Sequence, residues 1–235
     1  MTPEITLLTL SAATIAFVHT ILGPDHYLPF IAMAKARNWS LARTFRITLA
    51  CGIGHLLGSF ALGLLGIMLG TRLASLEWFE SVRGGLAAWL LIGFGLMYTA
   101  WGLRQAYRNR PHTHWHSHGG STHSHEHSHQ DQHAHVHESG KTSLTPWIIF
   151  VIFILGPCEP LIPLLMYPAA KESMLGVLLV AGVFGLVTLV TMTLAVMVVS
   201  LGMNTIKLKR FERFNHAVAG STILICGLSV AFLGL

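Results

Sequence analysis

Several apolar stretches about 20 residues long constrain this chain more than any other feature, because a helix of that length crosses a hydrocarbon layer of roughly 30 Å. They fall at 5–34, 47–69, 86–103, 147–167, 175–201 and 217–235, and the first and fourth are interrupted. The charged fraction is only 11% and the hydrophobic fraction 52%, whereas a soluble domain carries about 25% charged residues. Water therefore cannot be the main solvent, and the expected fold is an all-α integral membrane protein of six transmembrane helices. The spans and their connections use nearly the whole chain, which leaves no room for a soluble catalytic domain. The protein is read as a non-enzyme with no prosthetic group. Only Met1, Thr2, Pro3 and Glu4 precede the first span; they lack the basic run of a cleaved signal, so a retained helix is expected.

Basic residues near span ends stay on the cytoplasmic side. Twelve of the fifteen fall in three connections: Lys35, Arg37, Arg43 and Arg46; Arg104, Arg108, Arg110 and Lys141; Lys207, Lys209, Arg210 and Arg213. Arg72, Arg83 and Lys171 are assigned to the opposite side. This predicts an inner or plasma membrane protein with both termini outside and the long central connection in the cytoplasm. The basic pI of about 9.4 then reflects topology rather than a nucleic-acid partner.

Three regions follow: a three-helix unit at 1–104, a polar loop at 105–145 and a second three-helix unit at 146–235. The loop holds eleven of the fifteen histidines: His112, His114, His116, His118, His123, His125, His127, His129, His133, His135 and His137. Such a tract has no apolar face to bury and is expected to be disordered without metal. Its many imidazoles suit a borderline ion such as Ni²⁺, Co²⁺, Zn²⁺ or Cu²⁺.

The two units share a weak repeat. Ile21-Leu22-Gly23-Pro24-Asp25-His26-Tyr27-Leu28-Pro29 matches Ile154-Leu155-Gly156-Pro157-Cys158-Glu159-Pro160-Leu161-Ile162-Pro163. Each element lies in the first span of its unit. An odd number of spans per unit makes the repeat inverted, an arrangement that places a substrate site near the midplane between broken helices. Proline lacks an N–H and frees carbonyls inside the span. Freed backbone at that depth is tolerated only against protein or a wet cavity.

The ionisable residues read as intramembrane are His19, Asp25, His26, His55 and Glu159, with Cys158 beside them. Such residues are costly in the bilayer and mark a pathway. Imidazole, carboxylate and thiol together suit a late divalent metal, whereas Mg²⁺ or Ca²⁺ would favour an all-oxygen shell. His55 is read equally as a ligand and as a hydrogen-bonded core histidine. Cys51, Cys158 and Cys226 all lie in apolar stretches and imply no disulfide framework; Cys226 reads as a small buried hydrophobe. Gly54-x-x-x-Gly58, Gly66-x-x-x-Gly70 and Ala181-x-x-x-Gly185 read as helix-packing positions.

The His19-x5-Asp25-His26 element, Gly-x-Gly-His55, the His-rich loop and Gly-Pro-Cys-Glu-Pro together resemble the nickel/cobalt transporter family and the related urease-accessory membrane proteins of the lysine-exporter superfamily. The resemblance implies that His19, Asp25 and His26 bind the metal, with Ni²⁺ or Co²⁺ as cargo and Zn²⁺ or Fe²⁺ as alternatives. It also implies a metallochaperone or metalloenzyme-maturation partner. The gap between His19 and Asp25 is one residue longer than that family's, which leaves import and export open. Gly156-Pro157-Cys158-Glu159-Pro160-Leu161-Ile162-Pro163 also resembles the element of the membrane electron carriers of cytochrome c biogenesis, which pass a dithiol across the bilayer with cysteines in their first and fourth spans. Here Asp25 occupies the position matching Cys158, and Cys51 is the thiol that could substitute for the missing partner. The expected function is metal transport by alternating access, with thiol-disulfide relay or metal sensing as alternatives.

Overall fold

The computed structural model describes residues 3–70, 73–108, 112–118, 121–127, 145–156, 158, 160–170, 173–205 and 213–234. Eight helices are described: α1 (Pro3–Leu22), α2 (Leu28–Ala36), α3 (Leu41–Met68), α4 (Leu73–Arg108), α5 (Thr145–Leu155), α6 (Leu161–Ala170), α7 (Met174–Thr205) and α8 (Asn215–Leu233). Among the described residues, five helices are long and apolar enough to cross a membrane: Pro3–Leu22, Leu41–Met68, Ser75–Arg108, Met174–Met203 and Asn215–Leu233. The fourth expected span, read as interrupted at 147–167, is the pair of short helices α5 and α6, divided between Leu155 and Leu161.

Local chemistry sets the ends of these helices. α2 closes where the Trp39 N–H donates to the Ala34 carbonyl at 2.9 Å and Asn38 turns through a left-handed φ of 50°. Ser40 then caps α3, its Oγ accepting from the Arg43 N–H, which satisfies one of the orphan donors of a first turn. α3 stops at Leu69, followed by Gly70 at φ 61°, the left-handed conformation that glycine enters without steric cost. Gly70 is thus a turn residue rather than the packing position expected of it. Gly54, Gly58, Gly66 and Gly185 do face close neighbours on other helices.

Large apolar side chains point outward in this fold. Leu57, Trp89, Met97, Leu186 and Phe232 are exposed, while His26, His55, Thr48, Ser59 and Glu80 are buried. That inversion suits a lipid solvent, in which polar groups must find their partners inside the protein.

Two packed clusters form the interior. One joins Phe30, Met33, Cys51, Phe153, Met192, Val196 and Ile223; the other joins Ala12, Ala16, Cys158, Leu161, Leu165, Val177 and Phe184. α4 packs along α8, α3 along α7, α1 on α7, α5 on α3, and α2 on α7 and α8. The α4–α8 contact is close enough that a Cβ on Gly95, Gly102, Gly220 or Gly227 would meet the other helix's backbone. These glycines stand seven apart on each helix, a spacing of two turns.

The described part of the His-rich loop runs as two antiparallel strands, β1 (His112–His118) and β2 (Ser121–His127). Their register sets His112 opposite His127, His114 opposite His125 and His116 opposite His123. The expected span at 86–103 lies within a helix that begins at Leu73, so Arg83 belongs to α4 and not to a connection as expected. Hydropathy alone starts that span too late because Glu77, Glu80 and Arg83 lower it locally. Glu80 and Arg83 are three residues apart and pair on one helix face.

Candidate functional site

The first helix break is a single 3₁₀ turn, Pro24–His26. It closes through Gly23 N–H to the His19 carbonyl at 2.9 Å and His26 N–H to the Gly23 carbonyl at 3.1 Å. The buried His26 ring places Nδ1 3.1 Å from Asp25 Oδ1 and 3.2 Å from the Gly23 carbonyl. Both neighbours are acceptors, so in the neutral ring Nδ1 carries the hydrogen and Nε2 keeps its lone pair. That Nε2 is buried with no partner within the protein. A Cβ at Gly23 would stand 2.7 Å from His26 Nδ1 and 2.9 Å from Asp25 Oδ1. Only glycine leaves room for this pair.

His55, on α3, repeats the pattern. Its Nδ1 lies 3.1 Å from the Phe153 carbonyl at the end of α5, which again leaves Nε2 as a buried, unpartnered acceptor. The rings of His19 and His26 stand 4.9 Å apart and those of His26 and His55 5.6 Å apart, both edge to face. His19 Nε2 is also buried without a protein partner. His19, Asp25, His26 and His55 therefore converge, and His55 makes a core hydrogen bond at one nitrogen while the other has no partner within the protein.

The second break is built from different groups. Arg83, reaching across from α4, donates from Nη2 to Glu80 Oε2 at 2.9 Å, to the Gly156 carbonyl at 3.0 Å and to Ser59 Oγ. Glu80 Oε2 also accepts the Cys158 N–H at 3.2 Å. One ion pair thus satisfies a carbonyl and an N–H that the broken helix leaves without intrahelical partners. Sequence reasoning missed both residues because it sought isolated charges inside apolar runs. The signal available was the Glu80-x-x-Arg83 spacing at the edge of such a run. The two breaks adjoin across His55, since a Cβ on Gly156 would sit 3.3 Å from His55 Nδ1.

Cys158 is fully buried at the second break. Cys226, on α8, brings Sγ to 4.0 Å from the Pro24 carbonyl at the first. Cys51 packs in a different interior cluster from Cys158. All three thiols are free. Glu159 lies outside the described residues, as do His129, His133, His135 and His137. Among the described residues, no group of three or more His, Cys, Asp or Glu side chains is disposed to hold a metal ion.

A family model described as cytochrome c biogenesis protein transmembrane region matches residues 28–229. No curated protein and no solved structure matches the chain. The family match corrects the expected membership of the nickel/cobalt transporter family. The motifs behind that resemblance fall both before the matched segment, at His19, Asp25 and His26, and inside it, at His55, the His-rich loop and Gly-Pro-Cys-Glu-Pro. A short ligand-rich motif arises on many backbones, while a match over most of the helices follows the packing pattern of a whole fold.

Proposed function

The chain belongs to the cytochrome c biogenesis protein transmembrane region family, and from that premise we propose that this multi-pass membrane protein passes reducing equivalents across the bilayer by thiol-disulfide exchange. One observation carries the reading: each helix break has one thiol, Cys158 in the second and Cys226 against the first. In the oxidised state Cys158 and Cys226 share a disulfide. A dithiol protein on one face attacks it, forms a mixed disulfide, resolves it with its own second thiol and leaves both cysteines reduced. The reduced pair then gives two electrons and two protons to a protein disulfide on the other face. Attack requires the thiolate.

An inverted repeat suits this mechanism, because exchanging the two units exchanges the sides of the membrane. Helix contacts support that reading. Swapping α1, α2, α3 and α4 for α5, α6, α7 and α8 turns α1 on α7 into α5 on α3, turns α2 on α8 into α6 on α4, and maps α3–α7 and α4–α8 onto themselves. The distribution of Lys and Arg supports a cytoplasmic His-rich loop with both termini outside.

The test is reduction of a disulfide reporter enclosed in proteoliposomes by an external dithiol protein. Cys158→Ser and Cys226→Ser should each abolish transfer, while Cys51→Ser leaves it. Full transfer in Cys158→Ser would end the thiol reading.

The bare Nε2 atoms of His19, His26 and His55 favour one second reading, passage of a divalent transition-metal ion held by those imidazoles with Asp25, Cys158 and Glu159 and fed by the loop histidines. The ion would have to draw these side chains together. Metal uptake by the same liposomes that survives Cys158→Ser but not His26→Ala would favour it over the relay.

A further inference from the structure

Membrane helices usually satisfy their hydroxyls internally, by donation to the carbonyl four residues back. Thr9, Thr14, Thr20, Thr44, Thr99 and Thr222 all do so here. Thr48, Thr188, Thr193 and Ser200 do not: each hydroxyl oxygen is buried with no partner within the protein. A hydroxyl left unpaired in a dry interior costs about 1–3 kcal/mol by protein mutational data, so four on adjoining helices call for a common cause.

Their positions supply it. α3 and α7 run antiparallel, because Gly52 faces Leu189 and Met192 while Gly185 faces Leu56. The same register puts Thr44 level with Ser200, and those two line one small cavity with Lys35, Trp39 and Met203. Thr48 follows one turn deeper on α3, and Thr193 two turns deeper on α7. Beyond Cys51 and Gly52 come His55 and Thr188. Along the buried face of α3 the sequence is Thr44, Thr48, Cys51, Gly52, His55 and Ser59, polar or small at every step, in a helix whose outer side carries the exposed Phe45, Ile53, Leu57 and Leu65. At 1.5 Å per residue the run from Thr44 to His55 covers about 16 Å, half of a hydrocarbon core.

We propose that the α3–α7 seam is a hydrated half-channel leading from the face that bears Lys35 to the imidazoles of His55 and His26, and that it supplies water and protons to the first break. The seam ends at the buried, unpartnered Nε2 atoms of His55 and His26. Between Thr48 and His55 the seam narrows at Cys51 and Gly52, where Leu189 and Met192 lie against the small residues. This path serves any chemistry at the break that consumes or releases protons, and its test does not depend on thiol transfer.

The test is water access at the two points the path reaches. In the intact, folded protein in lipid nanodiscs, deuterium exchange at the imidazole C2 carbon of His55 and Ag⁺ blocking of Cys51 are each read by peptide mass spectrometry. Both reactions should proceed in the wild type. Both should slow about tenfold in Thr48→Val combined with Ser200→Ala, the upper range for losing a hydrogen bond to an ordered water. Thr48→Ser, which keeps the hydroxyl, should react at the wild-type rate. His55 and Cys51 that are inert in the folded wild type would overturn the half-channel, as would rates unchanged by the double substitution. Thr48→Ser also guards against misfolding: a variant slowed like Thr48→Val would mean that packing and not the hydroxyl governs access, which overturns the proposal too.

Discussion

The two helix breaks face the same backbone problem and solve it with different chemistry. At the first, the turn Pro24–His26 is largely self-sufficient: His26 bonds to Gly23 and to its own neighbour Asp25. At the second, the freed groups of Gly156 and Cys158 are held by an ion pair from α4. α8, which packs along α4, reaches the first break through Cys226 at the Pro24 carbonyl. The two packed helices thus touch the two breaks differently, one with a charge clamp and one with a soft thiol contact. The first break keeps lone pairs free for a ligand or proton, while the second is pinned. The first break is thus open at its imidazoles, while the second holds Cys158 in a fixed frame.

The largest effect should come from unpinning the second break. Arg83→Met leaves Glu80 buried at 1% side-chain exposure without its cation, and breaking a buried pair in this way costs about 3–5 kcal/mol. Thermal unfolding in detergent should show a large fall in midpoint, and Glu80→Gln in the same chain should recover part of it. A wild-type midpoint for Arg83→Met would mean that the clamp is incidental and the two breaks are alike. Next comes the α4–α8 contact, through which both donors are delivered. Gly102→Val drives a branched side chain into the His216–Ala217 backbone, an overpacking that costs about 1–3 kcal/mol. It should loosen both breaks together, seen as faster amide exchange at Cys158 and at His26. Loosening at only one would sever the proposed link.

Much of this contrast was legible in the sequence. The repeated Gly-Pro elements predicted both breaks, and the scarcity of ionisable side chains in apolar runs singled out His19, Asp25, His26, His55 and Glu159 with Cys158, because proline and charge are costly there and persist where they face the interior. The clamp was not legible. Glu80 and Arg83 cancel each other three residues apart at the end of a span, so a hydropathy reading places them in a connection. The role of Cys226 was hidden for another reason: a lone cysteine in an apolar helix carries no local signal, and only the packing of α8 brings it to Pro24. The family went astray because a few metal-type ligands outweighed the longer pattern of helices. The seven-residue glycine spacing on α4 and α8 was present in the sequence but fits no four-residue small-residue motif.

His55 joins the two breaks, and its substitution should be of middling size. His55→Leu keeps much of the volume but removes one of two donors to the Phe153 carbonyl, the other being the Gly156 N–H, a loss of about 1 kcal/mol. If the ring matters only as packing, His55→Leu and His55→Gln should be equally stable. If its Nδ1–H matters, Gln, which can still donate, should recover most of the loss in thermal unfolding.

The smallest expected change in stability separates holding from reacting most clearly. Cys226→Ser removes only a weak sulfur contact at 4.0 Å and exchanges one small side chain for another, so its unfolding midpoint should stay within the range of about 0.5–1.5 kcal/mol that one ordinary hydrogen bond is worth. Thiol transfer should nevertheless be lost, because serine cannot form the disulfide. Arg83→Met should show the reverse order, a large loss of stability with residual transfer in whatever protein remains folded. That crossing is what the contrast between a charge clamp and a soft thiol contact demands. If Cys226→Ser and Arg83→Met instead lost stability and transfer in the same proportion, the two breaks would be one cooperative structure with no division of work between them.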